Sequence, residues 1–136
     1  MTEKIKDIVT QIDREIRKEK SFDFHVISYD GCRLTIAGST DLTYYHKLEI
    51  IFDDVFFVSG VFGGWHSDTE RVVFSLPDNE KDLNQKFEIE QGYELFIFKA
   101  DDYKNDFIIA AKTLSFNTDT VFYYDRRDLK ENERIS

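Results

Sequence analysis

Three residue types are scarce in this sequence: its 136 residues include one cysteine, one proline and one methionine. Because Cys32 has no second cysteine to pair with, an internal disulfide framework is excluded. No apolar run approaches the ~20 residues that a membrane-spanning helix needs, which argues against a membrane partner. Residues 1–7 are mostly charged or polar and lack the apolar segment of a signal peptide, so we expect a cytoplasmic protein.

Catalytic and cofactor motifs are also missing. The chain contains no phosphate-binding loop, no Gly-x-Ser-x-Gly, no Cys-x-x-Cys and no His-Glu-x-x-His. His25, His46 and His66 lie on separate predicted elements, without the close spacing of paired metal ligands. We therefore expect no cofactor and no bound metal, name no catalytic residue, and favour a non-enzymatic protein over an enzyme.

Positive charge is scarce. The chain has 18 Lys and Arg residues and 27 Asp and Glu residues, which gives a formal net charge of −9. Because nucleic-acid backbones are bound by clustered Lys and Arg, this balance argues against a nucleic-acid partner. The acidic excess lies between Asp41 and Asp106, where 15 acidic and 6 basic residues again give −9. A field of that sign attracts a basic protein, so the 41–106 surface is the expected binding region.

Aromatic residues are plentiful by contrast, with 13 Phe, 7 Tyr and 1 Trp. They supply enough apolar area for a core, and we expect one folded domain over 1–136. Within 1–21 the apolar residues recur with the helical period, which predicts an amphipathic helix capped by Thr2. This stripe needs an apolar surface to cover, most simply the following sheet. Its members are Ile5, Ile8, Val9, Ile12 and Ile16.

Two hairpins are predicted where the apolar period changes to two. The first has its turn at Asp30-Gly31, the strongest short hairpin signal, and places Ile27 opposite Leu34. The second has its turn at Asp53-Asp54. Their predicted strands are Phe22–Tyr29 with Cys32–Ala37, and Tyr44–Phe52 with Val55–Ser59.

The rest of the chain continues as strands without intervening long helices, which disfavours a parallel βαβ sheet. We predict an α+β, mainly β fold, with one N-terminal helix packed on a strongly bent antiparallel sheet of about eight to nine strands over 22–125, a partly closed barrel or sandwich. The charged end, 126–136, is expected to be loosely ordered. An exposed edge strand would permit a dimer, and the oligomeric state stays open. The further strands are Arg71–Leu76, Lys86–Glu90, Tyr93–Lys99, Phe107–Phe116 and Thr120–Asp125.

A glycine-rich segment supplies the first candidate binding residues, Trp65 and His66. They follow Gly63-Gly64 in a predicted loop after a very apolar strand. Trp65 either anchors a partner or plugs the end of the core, and the second role is favoured because large aromatic side chains usually pack. The eight phenylalanines from 52 to 98 are expected to fill the interior.

Tyrosine and aspartate pairs supply the other candidates. Tyr44 and Tyr45 are adjacent on a predicted strand, so at most one of them is buried, and the same holds for 123–124. An exposed tyrosine beside acidic groups suits a basic peptide or a sugar. Asp53 and Asp54 are acidic candidates within 41–106, although adjacent acids at turns are usually turn formers.

Three functions are compatible with these features. The leading hypothesis is an acidic, non-enzymatic interaction domain that binds a basic protein through the 41–106 surface, immunity-type or inhibitor-like by analogy of composition alone. The alternative is a barrel-like binder of a small apolar ligand, since a helix-capped barrel can enclose a cavity. The third is an enzyme that uses His46 or His66 with a nearby carboxylate.

Overall fold

Residues 3–136 form two helices and ten strands. The structure, a computed structural model, describes only these residues, so the predicted cap at Thr2 lies outside them. Neither helix of this part of the chain is long and apolar enough to cross a membrane. In chain order the elements are α1 (Glu3–Ile16), β1 (Ser21–Asp30), β2 (Arg33–Ser39), β3 (Tyr45–His46), β4 (Leu48–Ser59), β5 (Trp65–Asp68), β6 (Phe74–Ser75), α2 (Glu80–Lys86), β7 (Glu94–Phe98), β8 (Phe107–Asn117), β9 (Thr120–Phe122) and β10 (Glu133–Ile135).

Seven strands form one curled antiparallel sheet in the order β5-β1-β2-β4-β8-β7-β6. Strand twist makes a sheet of this width curl on itself, and here it forms a half-barrel. The predicted α+β, mainly β fold with an N-terminal helix on a bent antiparallel sheet is therefore confirmed. The other three strands form a second sheet in the order β10-β9-β3, in which β10 and β9 are parallel.

The core lies between α1 and one face of the seven-stranded sheet. Three residues of the predicted helical stripe are buried in it, namely Val9, Ile12 and Ile16. A polar contact also holds the helix in place, because the Asp13 carboxylate accepts the backbone N–H groups of Val73 and Phe74 at 2.8 and 2.9 Å. Hydrogen bonds to a charged acceptor are strong, so α1 is fixed to the sheet edge at β6 by more than apolar contact.

The phenylalanines predicted to fill the interior divide between core and surface. Phe56 and Phe62 are exposed, so the prediction was wrong for them. Phe56 lies where the pairing of β4 with β8 shifts register, and this bulge turns its side chain away from the core. Phe62 lies in the loop after β4, while Phe57 and Phe87 are half-buried and pack against each other. The members that do fill the interior are Phe52, Phe74, Phe96 and Phe98.

The first predicted hairpin forms with a different register. Its turn residues are Gly31 and Cys32, and Tyr29 rather than Ile27 lies opposite Leu34. Gly31 has a φ of +66°, which glycine adopts without a Cβ clash. The ladder skips Ile27 as a bulge, which leaves that side chain exposed.

The second predicted hairpin is wrong. Asp53 and Asp54 lie inside one continuous strand, β4, which pairs with β2 on one side and with β8 on the other. Asp54 has a φ of +54°, so the backbone is locally turn-like without reversing direction. Phe52 before the acidic pair is buried, and β8 pairs with β4 on both sides of the pair, so this long-range pairing overrides the local turn preference.

Other segments differ from their predictions as well. The predicted strand Lys86–Glu90 is replaced by α2 and a following turn, because acidic residues in the first turn and Lys86 in the last suit the helix dipole. The loop around Trp65 is strand β5, paired with β1. The predicted strand Arg71–Leu76 is reduced to β6, and the end segment 126–136 contains β10.

Gly38 lies in β2 at a point where the core leaves no room for a side chain. A Cβ atom there would stand 2.7 Å from Cε2 of the buried Phe22 ring. Because that ring must move, we expect Gly38→Ala to lower the free energy of unfolding by about 1–3 kcal/mol in urea denaturation. Gly63→Ala is the matched control, since nothing lies within 4 Å of its Cβ position. Equal losses in the two variants would contradict this packing argument.

Candidate functional site

The three-stranded sheet forms a second layer on the face of the seven-stranded sheet that is turned away from α1. Along β4, Leu48 and Ile50 enter the core, so Glu49 between them points to the opposite face. There it meets His46 of β3 and Arg134 of β10. Glu49 is only 6% exposed although it carries a charge.

A hydrogen-bonded cluster joins the two layers, and we call it the Glu49 cluster. One carboxylate oxygen accepts from His46 Nε2 at 2.7 Å, and the other accepts from Asn117 Nδ2 at 3.2 Å and Arg134 Nη2 at 2.5 Å. His46 Nδ1 stands 2.6 Å from the Tyr123 hydroxyl. Its members come from β3, β4, β8, β10 and the residue after β9, so the cluster fixes the three-stranded sheet in position.

The protonation states in the Glu49 cluster follow from these partners. The pKa of Glu49 is lowered from 4.5 to about 2, first by the hydrogen bond from His46 and then by those from Asn117 and Arg134, while burial opposes them. Burial, and then the charge of Glu49, raises the pKa of Tyr123, so the phenol keeps its proton at neutral pH. Because the Glu49 carboxylate only accepts, His46 Nε2–H donates to it, and His46 Nδ1 shares the remaining hydrogen bond with the Tyr123 hydroxyl. The described members of the cluster supply one another's hydrogen-bond partners, which indicates a structural role.

The outer face of the three-stranded sheet carries an aromatic groove of about 520 Å³. Because side chains alternate along a strand, Tyr45 lies beside Phe122 on the face opposite to His46, with 6.2 Å between ring centroids. Tyr44 and Tyr124 add two exposed rings that stand nearly perpendicular, at 88°, with centroids 6.3 Å apart. The groove is lined by Tyr44, Tyr45, Phe122, Tyr124 and Arg126.

A cation already sits in the aromatic groove. The guanidinium carbon of Arg126 lies 4.3 Å from the centroid of the Phe122 ring. Its Nη1 also stands 3.4 Å from the Tyr124 hydroxyl. The floor of the groove therefore accommodates a guanidinium group by a cation–π contact, which is worth about 0.5–2 kcal/mol.

Similarity to other proteins does not indicate a function for this groove. Comparisons with protein-family models, curated proteins and solved structures found no match for this chain. The chemistry of the groove must therefore be inferred from its own side chains, which are four aromatic rings and one guanidinium group.

Tyr44 and Tyr45 are the two predicted binding residues that the structure brings together in the groove. Trp65 lies instead in the core, where its ring stacks on Phe107 with 4.3 Å between centroids. The Trp65 Nε1 atom has no hydrogen-bond partner among residues 3–136. Asp53 is bound by Arg33 at 2.8 Å, and Asp54 is exposed at its positive φ.

The histidines separate into different surroundings. His46 belongs to the Glu49 cluster, whereas His66 contacts Asp23 on the neighbouring strand, with 2.6 Å between Nδ1 and Oδ1. His25 lies opposite the buried Ala37, whereas the predicted pairing of Ile27 with Leu34 would have placed it opposite Ile36. Within the described range 3–136, no three His, Cys, Asp or Glu side chains are arranged to hold a metal ion.

Sequence reasoning missed Phe122 and Arg126 as groove residues, and it missed Glu49 altogether. The alternation of Phe122 and Tyr124 was the available signal, since residues two apart share a face of a strand. Nothing local indicates that this face continues onto Tyr45, because the two strands are separated by most of the chain.

Proposed function

We propose that this chain is a non-enzymatic interaction domain that binds a basic protein, and that the aromatic groove receives an arginine or lysine side chain of that partner. The observation that carries the proposal is the contact of the Arg126 guanidinium group with the face of the Phe122 ring. The faces of aromatic rings attract cations. Tyr44 and Tyr124 extend the same kind of surface toward solvent, where a partner can reach it.

The charge of the domain supports the same kind of partner. Three basic residues of the 41–106 region are already paired with carboxylates of this chain, in the pairs Lys47–Glu19, Arg71–Asp101 and Lys99–Asp106. Exposed acidic residues remain around α2, among them Asp78, Asp82, Glu88 and Glu90. A negative field of this kind accelerates encounter with a basic protein, and salt weakens it.

A small apolar ligand is a less well supported alternative. The half-barrel interior, where the barrel hypothesis placed such a ligand, is occupied by packed rings such as Phe52, Phe96 and Phe98. The aromatic groove is the apolar surface that such a ligand would find instead, so the experiment below includes it as an outcome.

A synthetic peptide of alternating arginine and glycine is the direct probe of the proposal. We expect it to bind in isothermal titration calorimetry, with an affinity that falls from low to high salt. Tyr44→Ala and Tyr124→Ala should each weaken binding by roughly tenfold, the loss expected for an aromatic hot spot. Tyr29→Ala is the matched control, because Tyr29 is as exposed as these residues and lies outside the groove. Preference for a glutamate–glycine peptide, or for an uncharged apolar ligand, would overturn the proposal.

Arg126 gives a second and sharper test. If the groove receives a basic side chain, Arg126 competes with it for the Phe122 ring and repels it, so Arg126→Ala should strengthen binding of the arginine peptide severalfold. If the groove instead receives an acidic group, Arg126 is its counter-charge and the same variant should weaken binding. The direction of the change in affinity, measured on one variant, therefore separates a basic from an acidic partner.

A further inference from the structure

A separate cleft of about 410 Å³ lies at the edge where β1 pairs with β5. Asp23 and His66 are cross-strand partners there, and His25 follows Asp23 by two residues on the same face of β1. Asp102 approaches from the loop after β7 and also lines the cleft. The volume is within the range of small-molecule sites.

His66 is held in one orientation at this cleft. Its ring Nδ1 stands 2.6 Å from the Asp23 carboxylate, and its backbone N–H donates to both oxygens of Asp102 at 3.1 Å. A carboxylate only accepts hydrogen bonds, so Nδ1 carries a proton and Nε2 is the ring nitrogen left for a ligand. The side chain is 45% exposed, which leaves Nε2 within reach of a ligand.

Two buried polar atoms close to Asp23 in the strand register have no hydrogen-bond partner among the described residues. The hydroxyl of Ser39, which lies opposite Asp23 in β2, is fully buried and has no hydrogen-bond partner among the described residues. The same is true of Nε2 of His25, whose pKa is lowered first by burial and then by an electrostatic contribution from His46. Buried polar groups are rarely left unsatisfied in folded proteins. Of these two residues His25 lines the cleft, so a polar group that enters the cleft beside it would supply the missing contact.

From this placement we infer that the cleft binds a small hydroxylated ligand, a monosaccharide or a similar polyol. The cleft contains no Lys or Arg among its lining residues, which disfavours phosphates and carboxylates. The carboxylates of Asp23 and Asp102 keep lone pairs beyond their bonds to His66, and together with Nε2 of the imidazole they offer several neighbouring groups to the hydroxyls of one ligand. Leu42 supplies the apolar contact that the C–H face of a sugar ring needs.

The experiment follows the histidine and tyrosine ring resonances by NMR during titration with glucose, galactose, mannose and N-acetylglucosamine, and separately with putrescine as an amine. We expect saturable shifts of His66 and His25 with at least one sugar, at a Kd of about 1 mM. His66→Ala should weaken that sugar's binding by roughly tenfold, because a hydrogen bond is lost. Asp23→Asn should weaken it too, because the amide is a weaker hydrogen-bond acceptor than the carboxylate, both for the His66 ring and for a sugar hydroxyl.

Controls separate this site from the aromatic groove. Tyr44→Ala should leave the sugar titration unchanged, and His66→Ala should leave binding of the arginine peptide unchanged, so either proposal can fail without the other. Absence of His66 shifts with all four sugars would overturn the inference. Shifts with putrescine alone, or sugar shifts confined to Tyr44 and Tyr124, would overturn it as well.

Discussion

Replacement of Phe98 by alanine is expected to lower the free energy of unfolding by about 3–5 kcal/mol, the usual loss for a large ring removed from a core. Phe98 is fully buried at the centre of the aromatic core. Its ring centroid lies between 4.6 and 6.3 Å from those of Phe24, Phe52, Trp65, Phe74 and Phe107. Since small domains are stable by about 5–15 kcal/mol in total, this one change removes a large share.

Urea denaturation followed by Trp65 fluorescence measures the loss, because Trp65 stacks on the same rings. Should Phe98→Ala be unfolded at zero denaturant, Phe98→Leu, which keeps part of the volume, gives a smaller and measurable loss. Phe62→Ala is the matched control, since its ring is about half exposed, and we expect about 1 kcal/mol or less. A loss for Phe62→Ala as large as that for Phe98→Ala would contradict the division of the phenylalanines between core and surface.

Local patterns predicted the parts of the fold that depend on near neighbours. The spacing of Ile12 and Ile16 within the stripe places α1 correctly against the sheet, because helical periodicity alone decides which face is apolar. The Asp30-Gly31 signal likewise locates the first hairpin. Its register was wrong by two residues beside the turn, because the turn lies one position later, and by one residue beyond the bulge at Ile27, a tertiary feature without a local signature.

Errors arose where burial overrides a local preference. Asp53 and Asp54 favour a turn, yet β4 continues through them because β8 pairs with it on both sides of the acidic pair. The prediction of a hairpin there also hid Glu49, since a residue on a two-stranded hairpin would be solvated. Its burial depends on β10, from a segment that its charge predicted to be loosely ordered.

The part of the candidate site that depends on neighbouring residues was predictable, and the part that depends on long-range pairing was not. Tyr44 and Tyr45 could be nominated from their adjacency, since one of two neighbours on a strand must face outward. Their groove needs Phe122 and Tyr124, which long-range pairing of β3 with β9 brings alongside. The acidic surface of 41–106 was predictable in sign, whereas the placement of Arg126 inside the groove was not, because a cation–π contact leaves no periodic trace.

Glu49→Gln is the second change with a large expected effect, about 3 kcal/mol of lost stability at pH 7. The folded pKa of Glu49, about 2, lies below its ordinary value of 4.5, and each unit of difference corresponds to about 1.4 kcal/mol. A lowered pKa means that the stabilisation is fully present above pH 4.5 and disappears as the pH falls through about 2. Glutamine does not titrate, so the wild-type and variant stabilities should converge over this acid range.

Thermal unfolding of both proteins from neutral to acid pH measures this convergence, and Glu90→Gln, at an exposed position, is the control whose curve should follow the wild type. Curves of wild type and Glu49→Gln that stay parallel below pH 4.5 would contradict the proposed role of the carboxylate. Because Glu49 binds His46 of β3 and Arg134 of β10, its loss should loosen the three-stranded sheet before the aromatic core. The variant should therefore lose affinity for the arginine peptide at a temperature where Trp65 fluorescence still reports an intact core. If the groove keeps its affinity until the core unfolds, the Glu49 cluster does not hold the three-stranded sheet in place.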